Sequence, residues 1–472
     1  MRDRLPTTPP TGPTPAGGPE VPVEPLSHSL KQRHLTMLGL GGVIGAGLFV
    51  GSGAGIGIAG PAIICSYLLA GALAMLVMRA LGEMSAAMPA SGSFSVYAEK
   101  ALGRWAGFSA GWLYWFLLVV VLAVEATGAA KIANGWLPSV DQWVWVLIFM
   151  VVFTVSNLAA VKNFGEFEFW FAALKVGAIV LFLILGTLAI FGVLPDTDPI
   201  GMANLTGRGG FFPEGFGGVV AGMLAVIFAF GGLEVVTIAA AESDNPAKSV
   251  ARAVRSAVWR ILFFYVGSMV VIVTLLPWDS LEPGQSPYVA VLDSIGIPAA
   301  GQIMNIVVFV ALLSALNANL YGSSRMVFSL AERGEAPKAL LKVSGGGVPR
   351  RAVFASVAFG FVSVVLNLLW PDTVFLYMLN AVGAVLLFVW ALIAVSELKL
   401  RRMLERDMPE RLTLRMWCFP YLTWAALLGM AAVLVLMLFD DSARPQLLWS
   451  SGAAAAVLVV AWVRELRARK AA

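Results

Sequence analysis

Apolar runs long enough to cross a bilayer, each closed by a polar break, recur along almost the whole of this chain. Twelve can be delimited: 35–58, 61–80, 105–133, 142–161, 168–193, 217–241, 258–276, 302–329, 352–369, 374–396, 418–438 and 447–463. One crossing needs about 20 predominantly apolar residues. Only 13% of the 472 residues are charged, against roughly 25% in a soluble globular protein. These features predict an all-α integral membrane protein of twelve transmembrane helices embedded in lipid. The two cysteines, Cys65 and Cys418, lie in or beside apolar runs, which argues against a disulfide framework. The two histidines, His28 and His34, precede the first run, leaving no His/Cys metal cluster; no cofactor is expected. Residues 1–29 are polar and proline-rich, read as a disordered arm with no signal peptide.

Lysine and arginine set the direction of the spans. The N-terminal arm, the 79–104 stretch, Lys162, and the stretches 244–260, 325–351, 397–415 and the tail together hold 28 of the 32 basic residues. The opposite loops hold Asp196, Asp198, Asp279, Glu282, Asp293, Asp372, Asp440 and Asp441 instead. The asymmetry places both termini in the cytoplasm of a multi-pass plasma (inner) membrane protein. It also accounts for the net charge of +4 without nucleic acid as a partner.

The first span is loaded with glycine. "GGVIGAGLFVGSGAGIGIAGP", Gly41 to Pro61, has eight glycines before its closing Gly60-Pro61, although each costs a helix interior about 0.5–1 kcal/mol relative to alanine. One reading is small-residue packing against neighbouring helices, which fits Gly41/Gly45 and Gly47/Gly51. The other is a broken helix whose freed N–H groups bind an anion. A membrane helix can break only where protein or a water-lined cavity receives its backbone groups. The sixth span favours the second reading. "FAFGGLEVVT", Phe228 to Thr237, repeats the paired glycines at mid-span and follows them with Glu234. Interrupted helices at matching places in two halves point to a transport site at the midplane.

The stretches "LKQRHLTMLGLGGVIGAGLFVGSG", "PASGSFSVYAEKALGRWAGFSAGWLYW", "VKNFGEFEFWFAALKV", "AAAESDNPAKSVARAVRSAVWRI" and "RLTLRMWCFPYLTW" resemble the amino acid–polyamine–organocation superfamily. Within it they resemble the bacterial amino acid transporter family, most of all its 4-aminobutyrate (GABA) permeases, over about residues 30–440. The resemblance implies a five-plus-five inverted repeat with broken helices 1 and 6, two extra C-terminal helices, and proton-coupled uptake of an amino acid. The expected division is an arm over 1–30, a transport core over 31–400, and helices 11 and 12 with a short basic tail over 401–472. By position, the resemblance implies that the backbone of Val43, Ile44, Gly45, Ala46 and Gly47 holds the substrate carboxylate. Ala46 stands where some relatives have serine. Phe228 matches an aromatic that covers bound substrate, Gly231 and Gly232 match the unwound part of helix 6, and Asn317 matches a pocket-facing position.

Charged residues inside the spans need individual reasons, because each costs at least about 2.5–3.5 kcal/mol near the bilayer centre. Lys175, about two turns into the fifth span, reads as a snorkelling lysine or as a proton carrier. The resemblance aligns it with a lysine that faces helices 1 and 8. Glu125, late in the third span, is either a structural carboxylate or part of the side-chain pocket. Its spacing of six from Lys131 does not make an i,i+4 pair. Glu234 reads as a cap for N–H groups freed by the break, a gate, or both. Asn319 is expected to bond between helices. For Arg79, Glu83 and Arg325, near cytoplasmic helix ends, snorkelling or loop salt bridges suffice. "ESDNP", Glu242 to Pro246, reads as a cap for the amphipathic stretch that follows.

The leading reading is therefore a proton-coupled symporter for GABA or a related zwitterion, not an enzyme. Aromatic, basic and small neutral amino acids remain alternative substrates on this scaffold, and the oligomeric state is not legible. A membrane-embedded enzyme would need a metal cluster or a nucleophile with its base, and no span contains histidine. A sensor would normally append a soluble domain, and an ATP-driven pump a GxxxxGK[ST] motif, which does not occur.

Overall fold

The computed structural model describes residues 44–89, 93–159, 164–195, 198–234, 246–281, 284–344, 347–441 and 444–471. Among these, helices account for the regular structure. They are α1 (Ala46–Phe49), α2 (Gly51–Ala59), α3 (Ile63–Ala87), α4 (Ser93–Leu102), α5 (Arg104–Trp136), α6 (Gln142–Leu158) and α7 (Phe164–Ile190). After the sixth-span helix α8 (Gly215–Ile227) come α9 (Pro246–Arg260), α10 (Gly267–Leu275), α11 (Pro287–Ser294) and α12 (Ala300–Glu332). The chain ends with α13 (Arg350–Leu369), α14 (Val374–Asp407), α15 (Tyr421–Phe439) and α16 (Arg444–Ala471).

Eight helices are long and apolar enough to cross a membrane, with Gly51–Ala87 taken as one run, and three shorter apolar helices occupy the fourth, sixth and seventh expected spans. The N-terminal part of the first span, including Val43, and the N-terminal arm lie outside the described residues, as do Glu242 to Asn245. Pro246 opens α9, where a missing N–H is harmless.

Burial follows the two solvents. α5 is the central post, packed by α4, α6, α12 and α14, and its residues from Leu117 to Ala130 are buried throughout. Val152 and Val155 on α6, Leu181 and Ile184 on α7, and Leu428 on α15 face outward. An outward apolar surface on helices that satisfy their own backbones is what lipid requires.

Several helices run past their expected ends. α14 continues to Asp407, and the C-terminal stretch, expected as a short tail, stays helical to Ala471. It is held there by Arg464, which donates to the carbonyls of Glu335 and Gly334 at 3.0 and 2.6 Å and lies over the Phe108 ring. Between α14 and α15 the chain crosses beneath α3. Glu83 accepts from the Arg401 guanidinium and from the Met416 backbone N–H, and Arg79 Nε donates to the Arg415 carbonyl at 2.8 Å.

Candidate functional site

Both glycine-rich spans are interrupted. In the first, α1 starts only after Gly45, and Val50, at φ −124° and ψ −47°, separates it from α2. In the sixth, α8 tightens into a 3-10 turn over Phe228–Phe230 and then leaves helical geometry at Gly231, where ψ is 141°. Gly232 follows at φ +92°, a left-handed conformation that glycine adopts without the steric penalty of a Cβ. Beyond it, Glu234 is fully buried, and its Oε1 accepts the freed Gly232 N–H at 3.2 Å. Tyr114 and Trp390 flank the same carboxylate.

The two readings of the first span's glycines divide by position. A Cβ on Gly47 would lie 2.7 Å from Ala229 Cα and 2.8 Å from Phe228 Cδ1. Gly47 thus lets the two interruptions touch. Gly51 abuts Leu379, and Gly55 abuts Ile63 and Val226, so these also serve close approach. Gly45 differs, because a Cβ there would run into Glu125 Oε1 and lie 3.2 Å from Ala315 Cβ.

Glu125, only 3% exposed, accepts the Ala46 N–H with Oε1 and Oε2, each at 3.1 Å. A buried carboxylate is costly unless it is hydrogen-bonded or paired, and the interrupted backbone supplies a donor. Glu125 therefore occupies the amide that the resemblance implies for the substrate carboxylate. Its second neighbour is Lys175, 1% exposed on α7, which interacts with the charges of both Glu125 and Glu168.

Glu168 is a group the sequence reading passed over. It is 1% exposed, accepts from Ser314 Oγ at 3.0 Å, and has the Asn317 side chain alongside it. Asn317 Oδ1 in turn accepts from Asn157 Nδ2 at 2.8 Å. The signal was present: Glu168 and Lys175 stand seven apart, two helical turns, and so share one face of α7. Asn319, expected to bond between helices, instead donates Nδ2 to the Ala315 carbonyl of its own helix at 2.8 Å. The i−4 carbonyl lay within reach, so no neighbouring helix was needed.

The structure thus gathers Gly45, Ala46, Glu125, Lys175 and Asn317 into one polar cluster, with Ile44, fully buried, at its edge. Gly47, Phe228, Gly231, Gly232 and Glu234 form the adjoining junction. Among the described residues, no three His, Cys, Asp or Glu side chains converge as a metal site. A cavity of about 440 Å³ lies further along α5, lined by Lys131, Asp293, Gln302 and Asn305 among others. Lys131 is six residues from Glu125, about 9 Å along the helix axis.

Interrupted helices meeting beside a buried lysine–carboxylate cluster, inside a helical bundle with a lipid-compatible surface, define a multi-pass membrane protein of the transporter class. The protein-family model described as amino acid permease matches residues 34–465, and the chain belongs to that family. A gamma-aminobutyric acid permease of Bacillus subtilis is 51% identical over 434 residues, 92% of each chain. An aromatic amino acid transport protein of Corynebacterium glutamicum is 50% identical, over 90% of this chain and 92% of its own. The gamma-aminobutyric acid permease of Escherichia coli is 46% identical over 88% of this chain and 89% of its own. Among solved structures, a manganese transporter of Eremococcus coleocola superposes with a TM-score of 0.54 at 15% identity, over 93% of this chain and 94% of that one. That likeness concerns the fold alone. The relatives are transporters and point away from an enzyme.

Proposed function

We propose that this protein imports 4-aminobutyrate, or a closely related zwitterion, together with a proton, by alternating access across the cytoplasmic membrane with both termini inside. The reading rests on one observation above all. The interruption at Gly45–Ala46 faces a buried cluster of Glu125, Lys175 and Glu168, while Gly47 packs directly on the second interruption at Phe228–Ala229. Two interrupted helices in contact supply free backbone donors and acceptors, which suit a substrate carrying both a carboxylate and an ammonium.

In this account the substrate carboxylate takes the amide groups from Val43 to Gly47 and displaces Glu125 from Ala46. Gly231 and Gly232 offer carbonyls to the ammonium, Phe228 covers the substrate and Asn317 lines the pocket. The freed Glu125 turns its charge to Lys175, which carries the coupled proton, and Glu234 steadies the sixth-span break as the gate moves. The cavity at Lys131 and Asp293 serves as the entrance vestibule. The division into arm, core and C-terminal pair over 1–30, 31–400 and 401–472 follows the same scheme, with twelve crossings.

Identity to both GABA and aromatic amino acid transporters at similar levels makes the substrate the point to test. Purified protein in proteoliposomes should take up radiolabelled 4-aminobutyrate in preference to phenylalanine, tyrosine, lysine and alanine. Uptake of an aromatic amino acid, with 4-aminobutyrate neither transported nor competing, would move the assignment to the second substrate class.

A further inference from the structure

Proton coupling requires that a proton bound at mid-membrane reach the cytoplasm, and Lys175 is sealed at 1% exposure. Among the described residues, two carboxylates act on its charge. On α5 there is Glu125, tied to Ala46; on α7 itself there is Glu168. On the charge-based orientation, α7 enters from the cytoplasmic side. Glu168 then lies about 10 Å nearer the cytoplasm than Lys175 along the helix axis.

The surroundings of Glu168 are built for a carboxyl group that changes state. Ser314 Oγ donates to Oε2 at 3.0 Å, and Asn317 lies alongside, itself fixed by Asn157 at 2.8 Å. Neutral hydroxyl and amide partners serve either state, since an amide and a hydroxyl each offer both a donor and an acceptor. Among the described residues, Oε1 has no hydrogen-bond partner. A buried acceptor with an open position is costly, and here that position is where a proton can be received. Among the described residues of the three elements that meet at Glu168, namely α6, α7 and α12, Lys175 is the one cation that acts on it.

We propose that Glu168 is the cytoplasm-side proton acceptor of the coupling path, taking the proton that Lys175 releases and passing it to water. This rests on the reading of Lys175 as proton carrier. The step balances as a single transfer. The Lys175 ammonium loses one proton and becomes a neutral amine, and the Glu168 carboxylate gains it and becomes a neutral acid. Glu168, itself 1% exposed in this closed arrangement, then loses the proton to water when alternating access opens the cytoplasmic side. Both partners are neutral in the intermediate state, which suits a sealed site. Glu125, held at the substrate amide, remains on the other side of Lys175 and governs loading.

The test compares wild type, Lys175→Ala, Glu168→Gln and Glu168→Asp in proteoliposomes, with radiolabelled 4-aminobutyrate. Accumulation under an imposed pH gradient and equal-concentration exchange are both measured, from about pH 5 to about pH 8. Glu168→Gln should lose gradient-driven accumulation by about tenfold or more while keeping exchange within about threefold. Glu168→Asp should restore part of the accumulation with a displaced pH profile, a readout that a merely structural carboxylate would not move. Lys175→Ala losing accumulation while both Glu168 variants keep wild-type accumulation and pH profile would overturn the Glu168 proposal alone. Lys175→Ala accumulating like wild type would overturn the lysine reading, and the relay with it. If Glu168→Gln does not fold, the aspartate decides: an unchanged pH profile overturns the relay.

Discussion

Both carboxylate oxygens of Glu125 lie 3.1 Å from the backbone nitrogen of Ala46, a residue 79 positions away in the chain. The protein thus places a carboxylate of its own on the amide that its resemblance to amino acid transporters assigns to the substrate. Both carboxyl oxygens are within reach of that one N–H donor, so Glu125 competes with the substrate for the amide. Glu125→Gln keeps the shape and an acceptor oxygen but removes the charge. The dissociation constant for 4-aminobutyrate should stay within about threefold of wild type or fall, on the scale where 1.4 kcal/mol is tenfold. Equilibrium binding in detergent reads this. A rise of about tenfold or more would mean that Glu125 contacts the substrate ammonium instead.

The glycines separate in the same way. Gly45→Leu puts a side chain where Glu125 Oε1 and Ala315 lie, so it should abolish substrate binding while expression and membrane insertion stay largely intact. Gly47→Ala presses on Ala229 Cα, which is backbone and cannot swing aside. It should destabilise the fold by about 1–3 kcal/mol, the usual scale of overpacking. Thermal melts and binding on both variants check the contrast. Near-native binding by Gly45→Leu would show that this glycine, too, only packs.

A third prediction concerns the crossing beneath α3. The Glu83–Arg401 pair is buried, with side chains 0% and 6% exposed, and Glu83 also holds the Met416 N–H. Removing one partner of a buried pair costs about 3–5 kcal/mol, because the other charge is left behind. Arg401→Met should therefore lower the melting temperature far more than Arg406→Met, whose Asp407 pair is exposed. Equal, small losses would show that the pair is dispensable.

The helical bundle was legible because bilayer crossing leaves only helices and closed barrels, and apolar runs of about 20 residues announce the helix. The breaks were visible too, because the paired glycines of the first span recur at mid-span in the sixth, followed there by Glu234. Helix ends were not. α14 reaches Asp407, and the basic tail remains helical because Arg464 finds the Glu335 and Gly334 carbonyls, partners far away in the sequence. Glu125 stood out as a charge in an apolar run, but its hold on Ala46 is a tertiary fact that no local pattern encodes. Glu168 was missed for the opposite reason. It sits one turn into α7, where an acid looks like ordinary helix-start chemistry, and only its two-turn spacing from Lys175 marked it.

We propose that a proton gradient drives amino acid import through this cluster. The most direct measurement is accumulation of 4-aminobutyrate by proteoliposomes holding purified wild-type protein, with the pH gradient, membrane potential and sodium gradient imposed one at a time. Accumulation is expected when the outside is more acidic, with enhancement by an inside-negative potential, collapse on adding a protonophore, and indifference to sodium. Accumulation that survives the protonophore and tracks the sodium gradient would contradict the proposal.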